Sequence, residues 1–430
     1  MSTMRFLHLA AADHGGAGMA AWRMHDALRT LGHMSRMLVL ERRTDDAEVL
    51  AVGADSALFK WHRLAQKAWL KVSSRPDEHF QNQLLSPGID SPKVARLAGL
   101  QPDVIVVHFI SHFLAPDDVL ALQRATGAPV MWNLLDMGLM TGGCHYAWRC
   151  DGYTRSCGHC PALRWSGAND LSAQIWSGKQ LAMGQTRGWV VAGSSLLARQ
   201  AKASSLFGER QIETLLLGVS PQAFAPGDMA ALRHELGAGE AERLVFFGAQ
   251  KFDQRRKGMH LLMEALLLLL DTWPRGIPMP VLLCAGNAAD FTPLREKGFR
   301  LVDLGFVGGP VLAKAYAAAD VFACPSIEDS GPMMINESMM SGTPVVAFRM
   351  GVAEDLIDDG ASGAIAPLGD ARAFAAGLQN VLLWDSAQRA AARARCRALA
   401  LAKCSPERQL RRFVEIARAL LAAEGEHACR

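Results

Sequence analysis

The stretch Ala323-Cys-Pro-Ser-Ile-Glu-Asp-Ser-Gly-Pro-Met-Met-Ile-Asn-Glu-Ser-Met-Met-Ser-Gly-Thr-Pro-Val-Val-Ala-Phe348 decides the fold. It reads as a buried strand ending at Cys324, a loop containing Pro325, Ser326, Gly331 and Pro332, and a helix starting near Met333. A second apolar strand follows at Pro344–Ala347. Loop amides and a helix N-terminus at such a corner favour anions. Asp329 and Glu337 stand eight residues apart, one in the loop and one in the helix. A carboxylate beside a pyrophosphate gains little, whereas one accepting hydrogen bonds from sugar hydroxyls gains more. On chemistry alone, Asp329 serves equally as a helix N-cap and Glu337 as a solvated helix residue.

The same alternation extends in both directions. Strand patterns fall at Phe6–Ala10, Ser35–Leu40, Val104–His108, Val130–Leu134 and Trp189–Ala192 in the first half. In the second half they fall at Arg243–Gly248, Val281–Gly286, Val302–Phe306, Val321–Cys324, Pro344–Ala347 and Gly363–Ala366, with helical patterns between. Strands alternating with helices imply parallel sheets covered on both faces. The expected fold is therefore α/β, with two doubly wound Rossmann-like domains facing a central cleft. Half of the 430 residues are hydrophobic, more than one core usually holds. The join is placed in the Pro- and Gly-bearing run Leu217–Pro226. The expected domains are 1–220 (with a Cys-rich insertion, 142–162), 221–400, and a helical tail, 401–430, that crosses back to the first domain. Ligands in such sheets bind at the carboxyl ends of the strands.

A net charge of +3 gives no support for nucleic-acid binding. The N-terminus lacks a signal-peptide pattern, and no apolar run reaches the ~20 residues of a membrane span. A cytoplasmic protein is expected. Between Ser56 and Pro76, Lys60, Arg63, Lys67, Lys71 and Arg75 recur at helical spacing beside Phe59, Trp61, Leu64, Trp69 and Leu70. That stripe suits an anionic membrane surface, which would place the protein at the inner face of the plasma membrane. It equally suits an amphipathic helix packed on its own domain.

Three further segments carry chemistry. Phe246-Phe-Gly-Ala-Gln-Lys-Phe-Asp-Gln-Arg-Arg-Lys-Gly258 joins a strand to a helix and concentrates cations at Lys251, Arg255, Arg256 and Lys257. Asp13-His-Gly-Gly-Ala-Gly-Met19 follows the first strand, and its glycines allow a tight turn and a close ligand. Its spacing is not the dinucleotide fingerprint. Cys144, Cys150, Cys157 and Cys160 fall within 17 residues, with His145 and His159 among them. Such a cluster in a reducing compartment suggests a closed structural Zn²⁺ site, although only the last pair has knuckle spacing. Packed free thiols are the other reading.

The Asp329/Glu337 block resembles the carboxylate–seven residues–carboxylate motif of the retaining nucleotide-sugar glycosyltransferases of family 4, which have the GT-B fold. By that resemblance Glu337 holds the donor ribose, while Asp329 and the backbone of Gly331, Pro332 and Met333 meet the transferred sugar. Lys257 resembles the lysine of the pair that embraces the donor diphosphate, and Lys251 stands where the family has an arginine, a fork that Arg255 or Arg256 would supply instead. Gly15, Gly16 and Gly18 resemble the acceptor-lobe loop that approaches donor phosphate and sugar. Phe306 and Val307 lie where the family's base-binding backbone lies. The run Trp132–Tyr146 with its cysteines resembles a subgroup tied to bacterial exopolysaccharide assembly, including colanic-acid-type enzymes. That subgroup would carry a histidine before Asp136, where this chain has Leu135; His108 and His112 are the candidate replacements. The resemblance implies a retaining hexosyl transfer to a glycan or lipid-linked acceptor, with no metal or cofactor needed for the chemistry. A non-catalytic nucleotide-sugar binder, a sugar phosphorylase and an epimerase are the alternatives.

Overall fold

The structure, a computed structural model, describes residues 3–52, 57–75, 99, 101–239, 242–287 and 290–428. The chain divides into two compact units, Met1–Leu215 with Leu410–Arg430, and Leu216–Gln409. These limits differ by some residues from those expected. The last helix, Pro406–Ala428, places Leu410, Phe413, Val414 and Leu420 in one cluster with Met4, Phe6, Met24 and Leu28. Burial of that apolar face assigns the segment from Leu410 onward to the first unit.

The first unit holds a seven-stranded sheet of β1 (Arg5–Ala12), β2 (Met34–Glu41), β3 (Val49–Ala51), β4 (Val104–Val107), β5 (Val130–Leu134), β6 (Gly188–Ala192) and β7 (Ile212–Thr214). Its order is β3-β2-β1-β4-β5-β6-β7, and its pairings are parallel. The second unit holds a six-stranded sheet of β8 (Leu244–Ala249), β9 (Val281–Gly286), β10 (Leu301–Asp303), β11 (Val321–Cys324), β12 (Val345–Phe348) and β13 (Gly363–Ala366). Its order is β10-β9-β8-β11-β12-β13, again parallel. Strands covered on both faces read as unbroken apolar runs, and every residue of β4, β9, β11 and β12 is buried. In each sheet the order reverses beside the first strand, between β1 and β4 and between β8 and β11. Those switch points are where doubly wound sheets bind ligands.

The helix Ala57–Ser73 forms where the basic stripe predicted one. Trp61, Leu64, Trp69 and Val72 are exposed on it, and Trp69 lies 6.2 Å from Trp165. The side chains of Phe59, Lys60 and Arg63 lie outside the described residues. Among the described residues, no helix is long and apolar enough to cross a membrane.

Candidate functional site

In the second unit, two loops meet at the switch point. β8 ends at Ala249, and its loop closes in a helical turn at Arg255–Lys257 before the helix Met259–Thr272. β11 ends at Cys324, and its loop leads to the helix Met333–Met340. The amides of Ile327 and Glu328 donate to the Arg256 carbonyl at 2.9 and 3.3 Å. Gly258 makes this approach feasible. Its φ is +67°, and a Cβ there would sit 1.8 Å from the Pro325 carbonyl oxygen. Only glycine tolerates both conditions.

The joined loops assemble a charge cluster. Asp329 accepts from Lys257 Nζ at 2.7 Å and from Arg256 Nη1 at 3.1 Å through one oxygen. Its other oxygen accepts from the Gly331 amide at 3.3 Å. Burial pushes the Asp329 carboxyl up, but Lys257 first and then Arg256 outweigh it and hold it below the usual carboxylate range. The structure thus makes Asp329 the partner of the two cations, whereas the resemblance implies a contact with the transferred sugar. Side chains of Arg256 and Lys257 keep 16% and 22% exposure, so both remain reachable by an anion. Lys251, on the same loop, is exposed. Glu337 is half-buried and accepts from the Tyr316 hydroxyl at 3.2 Å. Burial, and then the Glu337 charge, raises the Tyr316 hydroxyl well above its ordinary range, so it remains a proton donor. Phe306 is exposed in a loop, because β10 ends at Asp303 and not at Phe306 as the pattern suggested. Val307 beside it is half-buried. Gly331 and Met333 are half-buried, and Pro332 is buried.

In the first unit, Asp13 fixes the loop after β1. It is buried and accepts from the amides of Arg43 and Thr44 at 2.8–2.9 Å, and from the Thr44 hydroxyl. The helix Gly15–Thr30 starts directly behind it. A Cβ on Gly15 or Gly16 would meet nothing within 4 Å, so their backbone faces open space. Gly18 differs. Its Cβ would lie 2.6 Å from the Ala12 carbonyl oxygen, so this glycine allows close packing of the helix on the end of β1.

His108 is buried in a histidine network. Its Nε2 is 2.9 Å from His8 Nδ1, and its Nδ1 is 2.9 Å from Asn133 Nδ2. Both ring nitrogens are thus engaged inside the domain, and His108 also lines a recess at the ends of β4 and β5. His112 has a left-handed backbone, φ +64°. The aspartate after Leu135 does hold a histidine, but from further along the chain: Asp136 Oδ2 lies 2.7 Å from His145 Nδ1. In the sequence His145 stands out only as a neighbour of the cysteines, and the signal that could have found it is Asp136, nine residues ahead.

Cys144, Cys150, Cys157 and Cys160 line one recess with Tyr153 and Ser172, and all four are free thiols. The donor set has the chemistry of a zinc site. Its disposition does not, because among the described residues no three His, Cys, Asp or Glu side chains are placed to hold a metal ion. Burial pushes the Cys144 and Cys160 thiols up to about 12 and about 11.

The charge cluster falls inside a recognisable segment. Residues 241–383 match the family model described as Glycosyl transferases group 1. Those residues lie within the second unit, Leu216–Gln409. A D-inositol 3-phosphate glycosyltransferase of Corynebacterium urealyticum is 30% identical over 194 residues, covering 42% of this chain and 45% of the relative. The chain thus spans less than half the length of that curated relative. Among solved structures, sucrose-phosphate synthase of Thermosynechococcus elongatus superposes with a TM-score of 0.67 at 17% identity, covering 98% of this chain and 100% of that one. Anabaena HepE in complex with UDP-glucose gives 0.63 at 18%, covering 97% and 100%. These likenesses establish the GT-B fold over the whole length. The group 1 match brings no subgroup with it: the curated relative is named for an inositol phosphate, not for an exopolysaccharide.

Proposed function

We propose that the chain is a group 1 glycosyltransferase that moves a sugar from a nucleotide-diphosphate sugar to a hydroxyl-bearing acceptor, with retention at the anomeric carbon. The Asp329–Lys257–Arg256 cluster at the β8/β11 switch point carries this reading. Two cations already gathered around one carboxylate can turn to the diphosphate as its charge grows on departure. Preorganised cations of this kind are the main source of electrostatic catalysis in such steps. Lys251 and the amides near Gly331 supply further positive potential, and Glu337, oriented by Tyr316, accepts from donor hydroxyls. The acceptor oxygen attacks the face the phosphate leaves, and the departing phosphate takes its proton. No protein nucleophile and no metal ion enters this scheme.

Support for the acceptor class comes from two sides. The curated relative is named for a phosphorylated polyol, and the resemblance at Trp132–Tyr146 points to glycan assembly. A glycolipid or polyol acceptor suits both. The exposed Trp61, Leu64 and Trp69 beside Lys67, Lys71 and Arg75 add a peripheral contact with anionic lipid. Co-flotation with phosphatidylglycerol vesicles that survives Trp61→Ser/Trp69→Ser would sink that contact.

The transfer is tested by a thermal-shift screen of UDP-, GDP- and ADP-sugars, since a ligand of the folded state raises apparent stability by mass action. The stabilising donor is then assayed for release of nucleoside diphosphate with saccharide and inositol-phosphate acceptors. A donor that binds without turnover would favour a non-catalytic binder, which Leu135 recommends. Binding of none would end the proposal.

A further inference from the structure

The helix Ala57–Ser73 turns its buried side to the segment 161–168, which follows the four cysteines. Leu70 packs in one cluster with Cys160, Ala162, Leu163 and Ile175. Just beyond the helix, Ser74 forms an antiparallel bridge with Leu163. The Arg75 amide donates to the Ala162 carbonyl at 2.9 Å, and the Arg164 amide to the Ser73 carbonyl at 2.8 Å. The two guanidinium groups add to this. Arg164 Nε donates to the Ser74 carbonyl at 3.0 Å, and Arg75 Nε to the Leu163 carbonyl at 3.3 Å. Together these contacts fix the rotation of the helix about its own axis.

That rotation decides what faces outward. At about 100° per residue, Leu70 and Ser73 share one side of the helix, while Trp61, Ala68 and Val72 share the other, flanked by Leu64 and Trp69. Leu70 and Ser73 are buried, whereas Trp61, Leu64, Trp69 and Val72 are between 54% and 68% exposed. An amphipathic helix packed on its own domain turns its apolar stripe inward. This helix presents the stripe to solvent, so self-packing does not account for it.

The segment 161–168 widens the stripe. Trp165 is 60% exposed, and its ring lies 6.2 Å from that of Trp69. Arg164 beside it is exposed, as are Lys67, Lys71 and Arg75. Neither 56–76 nor 161–168 contains an acidic residue. Indole rings settle at the headgroup level of a bilayer. A cation near anionic headgroups is worth about fivefold in affinity.

We propose that the segment 161–168 and the helix Ala57–Ser73 form one docking surface for a bilayer with anionic headgroups. Trp165 enters the headgroup layer beside Trp69, Arg164 joins the helical cations at the phosphates, and Leu70 is the positioning residue that turns the stripe outward. The inference rests on the peripheral lipid contact proposed above and deepens it, because it gives the region around the cysteines a part in that contact.

The test is co-flotation of the full chain with phosphatidylglycerol vesicles, with phosphatidylcholine vesicles as the zwitterionic control. Wild type is expected to float with the first and not with the second, and added salt to weaken the binding. Trp165→Ser should weaken it about tenfold, at an unchanged Tm, because the side chain is exposed. Trp165→Glu also brings a negative charge to the surface and should weaken it about fivefold further. Wild-type binding by both Trp165 variants, with loss in Trp61→Ser/Trp69→Ser, would overturn the part of 161–168 and leave the helix contact standing. Loss in Trp165→Ser but not in Trp61→Ser/Trp69→Ser would defeat the helix contact and with it the joint surface. Equal flotation with both vesicles would remove the anionic headgroup as the ligand. Wild type that floats with neither would end both readings and leave the stripe to a protein partner.

Discussion

Lys257→Met removes one of the two cations on Asp329 while keeping most of the alkyl stem. The lost contact is a charge-assisted hydrogen bond of 2.7 Å between side chains that are 22% and 12% exposed. Asp329 keeps Arg256 at 3.1 Å and the Gly331 amide, so it is not left as an orphaned charge. The folding cost is therefore that of one partly buried charged bond, about 1–3 kcal/mol. For a domain of this size that corresponds to a fall in Tm of roughly 2–12 °C. On the proposed transfer the catalytic cost is larger, because Lys257 would face charge that grows in the transition state. Loss of one such preorganised donor lowers kcat by about 10²–10³-fold. The assay is release of nucleoside diphosphate from the donor found by thermal shift, read below the Tm of the variant, with melting curves on the same samples. Turnover within a few-fold of wild type, together with the expected loss of stability, would show Lys257 to be only a structural partner of Asp329. An unchanged Tm would refute the ion pair itself.

Gly258→Ala should prise apart the loops after β8 and β11, because its Cβ would fall 1.8 Å from the Pro325 oxygen at a φ of +67°; loss of donor-induced thermal shift in a chain that still folds is the expected reading. The buried histidines give an acid limit. Burial first, and then neighbouring histidines, hold His8 well below its ordinary value and His108 at about 3, whereas in the unfolded chain both titrate near 6.5. Below about 6.5 the unfolded chain binds more protons, so their contribution is fully present above that pH and is lost as pH falls toward about 3. Urea midpoints that stay flat across this range would contradict a neutral network. Protein purified without added metal should carry zinc well below one equivalent, with a Tm insensitive to chelator; one tightly retained equivalent would show that the four thiols close on an ion after all.

The sequence by itself determined most of the architecture, because apolar periodicity is local. Runs such as Val104–Val107 and Val281–Gly286 read as strands buried on both faces, and their alternation with helices implies parallel sheets. The three-residue edge strands Val49–Ala51 and Ile212–Thr214 carried too little pattern to be read. The residues of the corner between β8 and β11 are legible as types in place: Lys257 in a basic loop, Asp329 and Glu337 around a turn. Tertiary structure decided their partnerships. Asp329 joins Lys257 across 72 residues of chain. Asp136 takes His145 instead of an adjacent histidine, and His108 pairs with His8 and Asn133. Gly15 and Gly16 face open space while Gly18 packs, although the three look alike in sequence. Periodicity reports which face of an element is buried, whereas the partner of a polar side chain depends on which loops the folded sheet brings within about 3 Å, the reach of a hydrogen bond.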